Sequence, residues 1–274
     1  MESSYQSHAM LTQSAKAKIK SILPRWVFGA LSAIIYHVFE RKIHHHNAYI
    51  NYVCGKKGIE IGGPSSIFRY KLPLYKKIDS LDGVNFSNST LWEGEIKEGR
   101  TFNFFKKKKG FQFVSDGTEL SGISDASYDF LLSSNCLEHI ANPLKALSEW
   151  KRILKDDGVL ILVLPNKVSN FDHNRPTTSF EHLLEDLNSK TTEYDLTHLE
   201  EILALHDLSM DLPAGDIQNF KKRSLDNFNN RTLHHHVFDL HVMTQMVEFL
   251  GFTCVLKSET YEEFFLLAIK APKP

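Results

Sequence analysis

Glu60, Gly62 and Gly63, in the stretch KGIEIGGPSS, place an acid just ahead of a glycine pair. Glycine lets the backbone approach a ligand closely, and the N-terminus of a following helix would favour a carboxylate or phosphate. Taken alone, the stretch reads equally well as a structural turn. Asp82 follows about 20 residues later, at the expected end of a second strand, where a carboxylate can accept from both hydroxyls of a ribose. Asp79 competes for that role. In SDGTEL, Asp116 beside Gly117 offers an acceptor for an amino group such as that of adenine. The chain holds 14 histidines. Among them are His173, His182, His198, His206, His234, His235, His236 and His241, with Asp172, Asp195, Asp207 and Asp239 nearby in sequence. Imidazole can ligate a metal or move a proton near neutral pH, and it can equally cap helices and fill polar contacts. No compact metal signature such as His-Glu-x-x-His is present, so no metal ligand is assigned.

Strand-like and helix-like runs must position these residues. From about Ala48 the two patterns alternate, as in a parallel sheet covered by helices. Strands are expected at 58–61, 76–81, 112–114, 129–133 and 159–164. The last, VLILVL, is a continuous apolar run of the kind buried on both faces. Asn142 and Pro143 open a helix whose apolar residues recur at helical spacing, and Asp239 to Leu250 forms another closed by Gly251. Two further runs, 252–257 and 264–270, pair as an antiparallel hairpin. Between Asn166 and His236 the chain turns polar and His-rich, with helices starting near Ser179 and at Thr197, where Thr197 and Glu200 have capping-box spacing. An excursion after a fifth strand lies over the carboxyl ends of the sheet, where such folds bind ligands.

In this order, GIEIGG, Asp82, SDGTEL, SYDFLLSSNCLEHI and WKRILKDDGVLILVLPN resemble the class I S-adenosylmethionine-dependent methyltransferases, methyltransferase type 11 in particular. The resemblance covers roughly Gly55 to Pro165 and, more loosely, the C-terminal helix and hairpin. Stretches such as DHNRPTTSFEHLLEDL and NRTLHHHVFD resemble a bacterial subgroup with a His-rich cap. The resemblance implies a doubly wound, mostly parallel seven-stranded α/β sheet, with an N-terminal helical extension over 1–47. The methyltransferase domain would span 48–274, including a cap insertion at 166–238. It implies S-adenosylmethionine as cofactor. Glu60 would sit near its methionine amino group, and Gly62 and Gly63 would line the methionine and ribose region. Asp82 would hold the ribose hydroxyls, and Asp116 the adenine amino group with the Gly117 backbone beside it. Ser134 and Asn135 would approach the methionine end. Glu138 and His139 would cap and pack the next helix. Pro64 and Ser66 stand where this family usually carries glycine. Methyl transfer to oxygen requires removal of a hydroxyl proton, and His173 and His235 are the candidate bases.

The totals narrow the partners. A formal net charge of −1 provides no field for nucleic acid. The run Lys106 to Lys109 reads as a solvated loop. Three widely spaced cysteines suggest a reducing cytosol rather than a disulfide framework. The start of the chain lacks the pattern of a signal peptide. WVFGALSAIIYHVF, residues 26–39, is shorter than a membrane span needs; it reads as a packed helix, with weak membrane association as a second reading. The expected acceptor is a small molecule or saccharide, by O-methylation ahead of N-methylation. Two other functions fit the residues: a non-catalytic binding protein on the same fold, and a His-site metal-dependent hydrolase. A nicotinamide enzyme is disfavoured because Gly-x-Gly-x-x-Gly is absent.

Overall fold

A computed structural model describes residues 42–272. The expected extension over 1–47 and the membrane reading of 26–39 therefore lie, apart from residues 42–47, outside the described residues. None of the described helices is long and apolar enough to cross a membrane.

The apolar runs build one sheet. Its strands in chain order are β1 (Lys57–Ile61), β2 (Ser80–Asn85), β5 (Gly99–Phe105), β6 (Lys108–Val114), β7 (Tyr128–Ser134), β8 (Leu154–Pro165), β9 (Phe252–Glu259) and β10 (Glu263–Lys270). A separate two-stranded ribbon is formed by β3 (Ser89–Thr90) and β4 (Gly94–Glu95). The sheet order is β5-β6-β2-β1-β7-β8-β10-β9. β6, β2, β1, β7 and β8 run parallel, while β10 runs antiparallel between β8 and β9. The expected hairpin at the C-terminus is thus present. The sheet has eight strands rather than seven, because β5 adds an antiparallel edge to β6. The lysine run supplies that turn, with Lys106 at φ 50°, and then the start of β6 rather than a free loop.

Alternation within the strands explains the two-sided core. Leu160, Leu162 and Leu164 of β8 face one apolar layer, and Val159, Ile161 and Val163 face the other. The first layer is closed by α3 (Pro143–Ile153) and α8 (Leu240–Phe249), the second by α1 (His46–Val53) and the segment around Phe68 and Tyr75. Helix α3 starts as its sequence predicts. Asn142 accepts a hydrogen bond from the Lys145 amide at 3.0 Å, and Pro143 occupies the first turn. Asp239 caps α8 in the same way.

The glycine turn after β1 leads into a single helical turn, α2 (Ser66–Arg69), rather than a full helix. The second strand is displaced from its expected span of 76–81 to 80–85. Lys76 and Lys77 fall in a turn, and Gly83 sits mid-strand where a Cβ would meet the Phe102 ring at 2.2 Å. Between β8 and α8 the chain forms α4 (Phe180–Ser189), α5 (Leu199–Leu205), α6 (Ile217–Leu225) and α7 (Asn227–Asn230). Helix α5 has His198 at its N-cap, one residue later than the capping-box pattern predicts, and Thr197 donates its hydroxyl to Asp195 instead of capping.

Candidate active site

The carboxyl end of β1 opens directly into the glycine turn. Gly62 has φ +80°, and a Cβ there would lie 2.7 Å from Cys136 Sγ, so glycine is required on both counts. Gly63 is equally constrained, since a Cβ would meet the Glu60 carboxyl carbon at 2.2 Å. Glu60 is fully buried; it accepts from the Tyr75 hydroxyl at 2.7 Å and from the Ser65 amide at 3.0 Å. Burial pushes its pKa up to about 8, against the opposing pull of those hydrogen bonds.

Asp82 does not end its strand. β2 runs on to Asn85, and the Asp82 carboxylate accepts from the Phe111 amide (2.8 Å) and from the hydroxyl of Tyr128 (2.9 Å), the first residue of β7. It therefore serves the amino-terminal side of the parallel strands, opposite the glycine turn. Asn85 occupies the strand end, buried, and its amide donates to the Gly63 carbonyl at 3.0 Å. A signal in the sequence is the apolar Val84 of GVN, which continues the strand past Asp82 to Asn85.

Asp116 lies in the loop after β6, where it accepts from the Thr118 amide and hydroxyl, each at 2.8 Å. Arg231 of the insertion reaches it at 3.0 Å and also holds Glu193 at 3.1 Å, with its guanidinium 5.2 Å above the Phe86 ring. Burial acts to raise the Asp116 pKa, but Thr118 and Arg231 outweigh it and the net shift is downward. The neighbouring Gly117 carbonyl accepts from the Trp150 indole at 2.8 Å. Ser134 closes β7, its hydroxyl buried and without a hydrogen-bond partner among the described residues. Asn135 follows at φ 48°, exposed.

Residues 231–236 form a strap along these carboxyl ends. Arg231 meets Asp116, the Leu233 carbonyl accepts from His139 Nδ1 (3.0 Å), and the His235 amide donates to the Glu138 carbonyl (2.8 Å). Arg175 anchors the strap from beneath. Buried, it donates to Asp172, Glu201 and the carbonyls of His234 and His235.

Of the expected bases, His173 stands at the surface, paired with Asp207 at 3.0 Å. His235 is buried against the Asn227 amide (3.0 Å), and burial lowers its pKa to about 4. Neither joins the cluster at the end of β7. That place belongs to His234, whose Nδ1 lies 2.5 Å from Asp172 Oδ2. Its ring packs against Phe171 and His139, at centroid distances of 4.7 and 4.6 Å. Burial lowers the affinity of His234 for a proton, yet Asp172 overrides this and the net shift is upward. Glu138 Oε2 is buried without a hydrogen bond among the described residues, and burial raises its pKa to about 7. Glu138 and His139 do not cap the next helix, since Asn142 does so. Trp92, exposed at the tip of the β3–β4 ribbon, lies 5.2 Å from the His139 ring and walls the site. The sequence marks both Asp172 and His234 as candidates but does not pair them, because 62 positions separate them.

Residues 80–162, from β2 into β8, match the family model described as a methyltransferase domain. An uncharacterized protein of Methanocaldococcus jannaschii is 53% identical over 45 residues, 16% of this chain and 20% of that protein, so the chain spans about a fifth of that relative's length. Among solved structures, an S-adenosylmethionine-dependent methyltransferase of Methanosarcina mazei is similar at 17% identity and TM-score 0.47, covering 85% of this chain and 100% of that one. One from Mesorhizobium loti is similar at 13% identity and TM-score 0.48, covering 82% and 95%. At such scores these two likenesses add no weight to the residue-level geometry above.

Proposed function

We propose that this chain, which carries a class I S-adenosylmethionine-dependent methyltransferase domain over the matched strands, methylates a hydroxyl group of a small molecule or saccharide. The observation that carries the acceptor chemistry is the Asp172–His234 pair beside the carboxyl end of β7. When bound, S-adenosylmethionine supplies an electrophilic methyl group on a sulfonium. The residues present suit it. The Gly62–Gly63 turn brings backbone close, the Ser134 hydroxyl is buried and free to bond, and Glu60 stands behind the turn. Glu60, Gly62, Gly63, Ser134 and Asn135 would hold its methionine end, Asn85 the ribose, and Asp116 with Gly117 the adenine.

His234 acts as the base. Asp172 accepts from Nδ1–H, which leaves Nε2 as the acceptor for the substrate hydroxyl proton, and the carboxylate stabilises the imidazolium that forms. The insertion over 166–238 is the cap: its Arg231 and Phe171, with Trp92 of the β3–β4 ribbon, would exclude water and orient the acceptor oxygen toward the methyl donor. Three free cysteines support a reducing, cytosolic setting.

Calorimetric titration with S-adenosylmethionine and its demethylated product, followed by labelled-methyl transfer to a panel of monosaccharides and small hydroxylated compounds, tests this reading. His234→Gln is expected to retain cofactor affinity and lose roughly 10²–10⁴-fold in turnover. A wild-type chain that binds neither cofactor form overturns the methyltransferase reading. Unchanged turnover in His234→Gln removes His234 as the base.

A further inference from the structure

Within the insertion, away from the Asp172–His234 pair, four potential ligands converge from three segments. His182 and Asp186 lie one turn apart on the same face of α4, His198 precedes α5, and His236 ends the strap. His182 Nε2 stands 3.0 Å from His198 Nε2 and 3.4 Å from Asp186 Oδ2, and His236 Nε2 stands 3.6 Å from the same oxygen. The three imidazole ligand atoms all lie within 4.8 Å of one another. Around zinc, with bonds of about 2.0–2.1 Å, neighbouring ligands of a tetrahedron are separated by about 3.3–3.4 Å. The observed edges bracket that value.

Hydrogen bonding leaves this group unsatisfied. A proton on one of His182 and His198 can join the two nitrogens, and His236 Nε2–H can donate to the Ala141 carbonyl at 3.2 Å. Asp186 Oδ2 then remains buried with no hydrogen bond among the described residues. A buried carboxylate oxygen 3.4 Å from His182 Nε2 and 3.6 Å from His236 Nε2, with no hydrogen bond among the described residues, is costly, and a cation shared by these groups and His198 removes the cost. The surroundings are those of a held ligand set. Asp186 Oδ1 accepts from Thr191 at 3.0 Å, and Glu185 stands 3.7 Å from His182 Nδ1, behind the ring.

We propose that His182, Asp186, His198 and His236 form a four-coordinate zinc-type site that staples the insertion together. The set is closed, with no vacant position for substrate, as befits a structural rather than a catalytic metal. The need is evident, because the insertion's own apolar core consists of Ile202, Ala214, Phe220 and Leu233 with a few half-buried neighbours. By joining α4, the approach to α5 and the strap, the metal holds His236, and with it His234 two residues earlier. Partial exposure of His182 and His198 provides the entry path.

The test uses the full chain purified with a handle free of histidine. Elemental analysis is expected to show about one zinc per chain, and cobalt substitution to give the intense visible bands of a tetrahedral ion. Chelation should lower the melting temperature and speed proteolysis within 166–238, with zinc restoring both. His182→Gln with His198→Gln is expected to abolish the stoichiometric zinc. A wild type that is metal-free as purified and binds no zinc after chelation overturns the site. So does zinc retained at the same stoichiometry in the double variant, or cobalt bands of octahedral intensity. Should the double variant fail to fold, chelation and cobalt substitution of the wild type still decide the matter. Because S-adenosylmethionine titration is read separately, loss of this site leaves the methyltransferase reading standing.

Discussion

Glu60 shows how burial converts a side chain into a pH-dependent term. Its carboxyl has no exposure and a pKa of about 8, against an ordinary value of 4.5. The folded chain therefore holds a proton that the unfolded chain releases, so this group's contribution to stability falls as pH rises from about 4.5 to about 8. Over that window the loss is at most on the order of 5 kcal/mol. Glu60→Gln keeps an acceptor for Ser65 and Tyr75 and removes the titration. Urea unfolding at several pH values should show a flatter profile for the variant between pH 5 and 8, and parallel profiles would assign the pH dependence elsewhere. At the same scale, an Asp is read as a ligand only when its strand ends beneath it. Asp82 fails that condition by three residues, and Asn85 meets it.

At the scale of elements, the strap 231–236 is irregular, yet it is pinned at each end. Arg231 links it to Asp116 and Glu193, and Arg175 holds the carbonyls of His234 and His235. These contacts, rather than secondary structure, keep its amides from opening. Arg231→Gln loses both ion pairs and leaves Glu193 buried, with the Ala141 amide on Oε1 and His235 Nε2 3.7 Å from Oε2. Hydrogen exchange across 231–236 is expected to quicken roughly tenfold while the strands β7 and β8 keep their protection. Unaltered exchange would mean that the strap is secured without Arg231, by Arg175 together with the contacts to His139 and Glu138.

For the whole molecule, the relevant fact is that the parallel strands carry their loops to one end while the antiparallel β9 and β10 complete the sheet at the other edge. Loops from β1, β2, β6, β7 and β8 meet there, and the insertion closes over them. Binding at such a junction stabilises the chain as a unit. At about 100 times its dissociation constant, S-adenosylmethionine should add about 2.7 kcal/mol to global stability, seen as a rise in melting temperature. A melting curve insensitive to the cofactor at millimolar concentration contradicts the proposed site.

What the amino-acid sequence determined by itself was local. The turn at Gly62, the cap and proline opening α3, the two-faced run of β8 and the terminal hairpin follow from dihedral preference, cap spacing and periodicity, whose range is a few residues. The glycine turn was thus legible as a loop, and the order of motifs as an α/β sheet. Tertiary structure decided the rest. Strand register set whether Asp82 or Asn85 faces the site, and pairing with β6 added an eighth strand. The path of the insertion around Arg175 places His234, rather than His173 or His235, beside Asp172 at the end of β7, and brings His182, His198 and His236 together from positions far apart in sequence. Imidazoles look alike along a chain. Only the folded path gives each one its partners.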